Sequence, residues 1–137
     1  TYRSRVSGPL MDRIDIHIEV PAVKFREIAD DTPAEPSSAI RERVTRARAV
    51  QQERFRSDGI FANAHMKPRH TRKYCRIDAG SQRLLETAME RLGLSARAYN
   101  RVLKVARTIA DIEGGSQIAS DHISEAIQYR SLDRRVQ

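Results

Sequence analysis

The chain has no tryptophan, a single cysteine and no long apolar run, and each shortage removes a class of protein. One cysteine, Cys75, rules out an internal disulfide and suits a reducing, cytoplasmic setting. No stretch approaches the roughly 18 consecutive apolar residues of a membrane span, so no membrane role is expected. No secretory signal pattern is present, although residue 1 is not read as a native start. The Gly-rich phosphate loop G-x-x-x-x-G-K-[ST] is missing, and no Ser-His-Asp or Cys-His arrangement can be assembled. With four Tyr and three Phe among 39% apolar residues, the 137-residue chain can build one modest core. That is one domain, or one domain and a piece of another.

What is abundant is positive charge. Lys and Arg outnumber Asp and Glu by 25 to 18, a net charge of +7. Such a surface attracts polyanions, nucleic acid above all. A bias that a longer parent does not share is an equal explanation.

Residues 14–20 alternate strictly, with Ile14, Ile16, Ile18 and Val20 on one face and Asp15, His17 and Glu19 on the other. A period of two predicts a half-buried strand ended by Pro21. No second strand is evident, so its sheet partners are expected in a larger protein. Residues 29–37 are small, acidic and Pro-interrupted, which reads as a linker.

Helical periodicity then takes over. Ser37 or Ser38 is expected to cap a helix whose inward stripe is Ile40, Val44, Ala47 and Phe55, widened by Val50. An irregular stretch is expected from about Ser57 to Ile77. Asp78 caps the next helix, which carries Leu84, Leu85, Ala88, Met89 and Leu92 and stops at Gly93. Ser95 caps the strongest helix, ended by Gly114-Gly115, with Tyr99, Val102, Leu103, Val105, Ala106, Ile109 and Ala110 on its apolar face. A last short helix runs from about Asp121 to Arg130. The predicted fold class is mainly α, a small helical bundle preceded by a remnant strand.

Arg13 stands at the entrance of the alternating segment between Asp12 and Asp15, and on spacing alone a salt-bridged surface residue is the simpler account. Arg97 lies in the first turn of its helix, where the macrodipole disfavours a cation unless an anion is at hand. An exposed arginine on a wet face is again the plainer reading. Arg97, Arg101, Lys104 and Arg107 form a basic stripe that either lines a phosphate or a nucleic-acid backbone or is the solvated side of the helix. Lys67, Arg69, Arg72 and Lys73 form a dense basic run, a candidate nucleic-acid contact with Tyr74 to stack a base, or a solvated loop. His65, His70 and Cys75 are spaced by five. Zinc favours a Cys pair or a tight His pair, so no metal site is expected.

Two segments are distinctive: Ser7-Gly8-Pro9-Leu10-Met11-Asp12-Arg13-Ile14-Asp15, and Leu94-Ser95-Ala96-Arg97-Ala98-Tyr99-Asn100-Arg101-Val102-Leu103-Lys104-Val105-Ala106-Arg107. They resemble the C-terminal part of the bacterial magnesium-chelatase-like AAA+ ATPases of the ComM/YifB type. The likeness covers residues 2–20, resumes at Asn63-Ala64 and Tyr74-Cys75-Arg76, and runs almost unbroken over 84–130. The resemblance implies a core remnant over 1–33, poorly ordered alone, a helical lid over 34–130 and a tail over 131–137. It implies that Arg13 is an arginine finger acting on a neighbour's ATP and Arg97 the sensor-2 residue, with Arg101 beside it toward the nucleotide. Met11 is the one departure from the usual Leu-Leu-Asp-Arg pattern. The implied parent is a ring-forming ATPase, a hexamer using ATP and Mg²⁺, a DNA helicase promoting branch migration in natural transformation. The chain alone, without a phosphate loop, is expected to be inactive. A magnesium-chelatase motor subunit and a stand-alone basic DNA-binding module are the alternatives.

Overall fold

Side-chain caps and left-handed glycines punctuate the chain, and the helices fall between them. The computed structural model describes residues 5–130; the expected 131–137 tail and residues 1–4 lie outside it. Among the described residues there are seven α-helices: α1 (Gly8–Arg13), α2 (Phe25–Ile28), α3 (Ser37–Arg54), α4 (Pro68–Tyr74), α5 (Ala79–Leu92), α6 (Ala96–Glu113) and α7 (Ser120–Gln128). A 3₁₀ turn, Asn63–His65, lies between α3 and α4. No helix among them is long and apolar enough to cross a membrane.

The later helices begin and end where expected. Asp78 accepts from the Ser81 amide at 2.7 Å, and Ser95 from the Ala98 amide at 3.2 Å. That amide holds the Asp78 carboxyl below the usual carboxylate range. Gly93 and Gly114 close α5 and α6 at φ 62° and 79°, a conformation that costs glycine little and other residues more. α7 is capped by a histidine: Nδ1 of His122 accepts from the Ala119 amide at 2.9 Å, and Nε2 lies 2.6 Å from Glu113.

α6 is the central strut, packed on α7, α3 and α4, while α7 also packs on α5. Val102, Leu103 and Ala106 from α6 meet Phe55, Met66, Cys75, Leu85, Ile118, Ile123 and Ala126 in one core. Ser81 of α5 and Ser120 of α7 pair through their hydroxyls at 2.9 Å. The mainly α bundle is as expected.

Several local expectations differ. Residues 14–20 form no strand; among the described residues no second strand offers a ladder, and Ile18 and Val20 stay 66% and 83% exposed. On α3, Ile40, Val44 and Val50 are exposed; Ala47, Gln51 and Arg54, with Phe55 at the C-cap, turn inward, because the helix meets α6 by its C-terminal half. The 57–77 stretch is irregular only in part: a 3₁₀ turn and α4 interrupt it, Pro68 starting α4 with its missing N–H at the position where none is needed. Arg107, assigned to the wet stripe, is 4% exposed.

Arg107 is buried because Asp111 is. The Asp111 side chain has no solvent exposure and accepts from Arg54 Nη1 at 2.8 Å and Nη2 at 2.5 Å. Asn63 Nδ2 reaches it at 2.9 Å and Arg107 Nε at 3.1 Å. Arg107 also donates to the carbonyls of Gly115 at 2.8 Å and Ser116 at 3.2 Å. Burial pushes the Asp111 carboxyl up, but hydrogen bonds from Arg54 and Asn63 outweigh it and hold the group below its ordinary range.

The His65, His70 and Cys75 triplet is not gathered. His65 is exposed, His70 Nδ1 accepts from the Lys67 amide at 3.0 Å, and Cys75 Sγ sits 4.0 Å from Met66 Sδ. Among the described residues no group of His, Cys, Asp and Glu is arranged to hold a metal. Burial pushes the Cys75 thiol up to about 11, against the opposing pull of Arg107 and Arg54.

Three outcomes are expected from this packing. Asp111→Ala strands the buried Arg107 guanidinium and the partly buried one of Arg54, and should cost about 3–5 kcal/mol in urea denaturation. Because the folded Asp111 titrates below its unfolded value, its contribution is fully present above pH ~4 and is lost as pH falls through the lowered folded value. Asp111→Asn should remove that part of the acid limb, and an unchanged limb would contradict the assignment. At pH 8 a thiol reagent should modify Cys75 on the order of 10²-fold more slowly in the folded chain than in urea.

Candidate functional site

Arginine bookkeeping separates cations used by the fold from those left over. Arg54 and Arg107 are consumed by Asp111. Arg101, one turn beyond the start of α6, pairs with the carboxylate of Asp15. That pair joins α6 to the segment just after α1, with Arg101 half-buried and Asp15 half exposed. The two beside it are different. Arg13 and Arg97 are both exposed and make no hydrogen bond or ion pair among the described residues.

Local structure sets what each presents. Arg13 is the last residue of α1, whose N-cap Ser7 accepts from the Leu10 amide at 3.3 Å. A cation there complements the negative end of the helix. Arg97 is the second residue of α6, whose first turn carries no acidic side chain. Ser95 satisfies the Ala98 amide, leaving the earlier first-turn amides for solvent or an anion. Arg97 therefore adds charge to an end that is already positive. Without an anion this is unfavourable; with a phosphate it becomes a two-part receptor.

The basic run adopts a definite form. Lys67 precedes α4, and Arg69, Arg72 and Lys73 are all exposed on it, while His70 and Thr71 turn inward. Tyr74 is not available to stack a base. Its hydroxyl donates to Asp58 at 2.6 Å, its ring packs edge-on against Phe55 at 5.3 Å, and Lys73 Nζ lies 5.0 Å from the ring centre. A cleft of about 640 Å³ opens between α4, α5 and α6. Arg72 and Arg76 line one side and Ala96, Tyr99 and Asn100 of the α6 start another, so one basic residue of the run shares a cleft with the Arg97 turn. A second groove of about 540 Å³ runs between the 15–18 segment and α6, lined by Ile16, Ile18, Val105, Ile109 and Ile112 with Arg101 at its edge.

Some residues that organise the site carried no signal in the sequence. Arg130 is fully buried at the end of α7 and reaches back to the backbone around Arg13. Its position beyond the last periodic residue gave no hint of burial. Asp111 was visible only as the partner of Arg107 four residues away, a spacing that allows pairing without requiring it.

Residues 34–130 match the family described as magnesium chelatase, subunit ChlI C-terminal, and residues 1–28 match magnesium chelatase, subunit ChlI. The chain is 39% identical to Competence protein ComM of Haemophilus influenzae over 99% of its own length. It is 40% identical over 97% of its length to the uncharacterized protein YifB of Salmonella typhimurium, and 37% to YifB of Escherichia coli. It spans 26% of the length of each of these relatives.

Proposed function

The chain belongs to the magnesium chelatase subunit ChlI C-terminal family, in the company of ComM and YifB, and on that footing we propose that it is the lid portion of a ring-forming ATPase. The observation that carries the proposal is the placement of two exposed cations, at the end of α1 and in the first turn of α6. Arg13 and Arg97 remain exposed and unpartnered among the described residues, while Arg54 and Arg107 share the Asp111 carboxylate and Arg101 pairs with Asp15. Exposed arginines are ordinary. One placed at a helix start without a compensating acid is less so.

In this reading Arg97 and the first-turn amides of α6 meet the terminal phosphate of ATP held by the same subunit. Arg13 reaches the ATP of the next subunit. ATP with Mg²⁺ supplies the phosphoryl group that is transferred to water, with the phosphate loop and metal-binding carboxylates lying upstream in a longer protein of this family. What the two arginines contribute is fixed positive charge where the transferring oxygens gain negative charge. By analogy with GTPases, a finger of this kind is worth roughly 10³–10⁵ in rate. Because Arg13 serves a neighbour, activity requires a closed ring, taken here as a hexamer. The 137-residue chain alone hydrolyses nothing.

DNA is the proposed partner, with the parent a helicase that drives branch migration during natural transformation. Supporting this are the net charge of +7, the exposed basic face of α4 and the name of the competence relative. The description of the family as magnesium chelatase supports a second reading, a motor that drives metal insertion into a porphyrin.

The decisive experiment is ATP hydrolysis by the full-length protein, wild type against Arg13→Ala and Arg97→Ala, with and without forked DNA. Each variant should lose on the order of 10³-fold in turnover, and forked DNA should stimulate the wild type. Unchanged hydrolysis in both variants would remove the mechanism; stimulation by a chelatase partner instead of DNA would select the second reading. Replacing Lys67, Arg69, Arg72 and Lys73 together by Ala should weaken DNA binding and flatten its salt dependence by about three to four released counterions, as read from the slope of log affinity against log salt.

A further inference from the structure

The backbone that carries Arg13 is held by two adjacent residues at the far end of the chain. Arg130 has no solvent exposure, and its guanidinium donates to the carbonyl of Ile14 and to that of Met11 at 3.3 Å. The Tyr129 carbonyl accepts the His17 amide at 2.7 Å. His17 in turn sets Nε2 3.1 Å from the Met11 carbonyl, which also accepts the Ile14 amide at 3.2 Å. Met11, Ile14 and His17 bracket Arg13 on both sides. All three are tied, directly or through one bond, to the C-terminal end of α7.

This is an expensive way to hold a surface segment. A guanidinium taken wholly out of water needs several acceptors, and the carbonyls of Ile14 and Met11 are two of them. The planar fork of arginine suits the task because its nitrogens diverge toward two carbonyls three residues apart, a geometry that the single ammonium of lysine cannot reproduce. Ile14 is the residue after Arg13 and Met11 lies two before it, so the two gripped carbonyls flank the backbone from which the Arg13 side chain projects. Free rotation there would leave the cation attached to a six-residue helix and an unpaired extended segment. The Arg101–Asp15 pair lies nearby, but it is partly solvated and contributes less.

We propose that Arg130 is a positioning residue for Arg13: it fixes the backbone from which the finger projects and joins it to the helices that carry Arg97. The proposal rests on the finger reading given above. It makes Arg130 act in trans, on the nucleotide of the neighbouring subunit, although its own contacts are all within one chain. A merely structural Arg130 would instead impair its own lid, and with it the action of Arg97 in cis.

Mixed rings of the full-length protein separate the two. Arg130→Lys should lower kcat for ATP hydrolysis between ~10- and ~100-fold, the loss expected of a misplaced catalytic group, while the affinity for a fluorescent ATP analogue changes less than about twofold. Mixed with Arg97→Ala subunits, whose Arg13 is intact, Arg130→Lys subunits should regain hydrolysis. Mixed with Arg13→Ala subunits they should not. Recovery with Arg13→Ala and none with Arg97→Ala marks a cis lid defect and overturns the proposal, as does wild-type turnover by Arg130→Lys. If Arg13→Ala alone keeps wild-type turnover, it is the finger reading that has failed. Should Arg130→Lys not assemble, His17→Ala removes the second side-chain donor to Met11 and should show the same mixing pattern with a loss of about 3- to 10-fold. Unaltered turnover in assembled His17→Ala rings would then overturn the proposal.

Discussion

Asp111 is the point on which the rest of the structure turns. It is a buried carboxylate near the end of α6, and by itself that would be strongly unfavourable. Its burial is made tolerable by converging donors: Arg54 from the end of α3, Asn63 from the 3₁₀ turn and Arg107 from the turn before it. Arg107 extends the network into the α6–α7 connection through Gly115 and Ser116. Gln51 adds the Asn63 amide at 2.9 Å, and Thr108 the Asn63 side chain at 3.0 Å. Four parts of the chain are thereby held in one register. A hydrophobic cluster would supply adhesion there, but it would not fix which groups meet.

The network also decides which cations are free to act elsewhere. α6 has four basic residues from Arg97 to Arg107, and from one turn to the next their fates differ. Arg107 is absorbed by the core, Arg101 by Asp15, and Arg97 by nothing among the described residues. Charge is therefore left at the end of α1 and the start of α6, as it is on Lys104 and on the exposed basic face of α4. A surface rich in arginine becomes informative only after the paired residues are subtracted.

The first forty residues obey a different logic from the bundle. Ile14, Ile16, Ile18, Val20, Val23, Phe25 and Ile28 are all more than 40% exposed, as are Ile40 and Val44 on α3. Against this, His17 is buried and its neighbours are gripped by Arg130 and Arg101. The segment is attached at its polar positions and leaves its apolar positions uncovered, the reverse of a core strand. Alternation reports which side chains share a face. It is silent on whether a partner is present to cover that face.

Sequence alone determined the elements whose causes are local. Asp78, Gly93, Ser95 and Gly114 fixed the limits of α5 and α6, because a cap acts within one turn of chain. The apolar period of α6 announced the face that became the core, and the motifs around Arg13 and Arg97 announced the family. α4 was missed although Pro68 stood at its start, because its charged composition masked a helix of only seven residues. Only the tertiary structure decided that Arg107 lies inside, that Ile40 and Val44 lie outside, and that Arg130 reaches across the molecule to Ile14 and Met11. Each of these depends on a partner many residues away or on how far one helix overlaps another. The energy of burying a charge or exposing an isoleucine is set by those neighbours, and no local pattern encodes them.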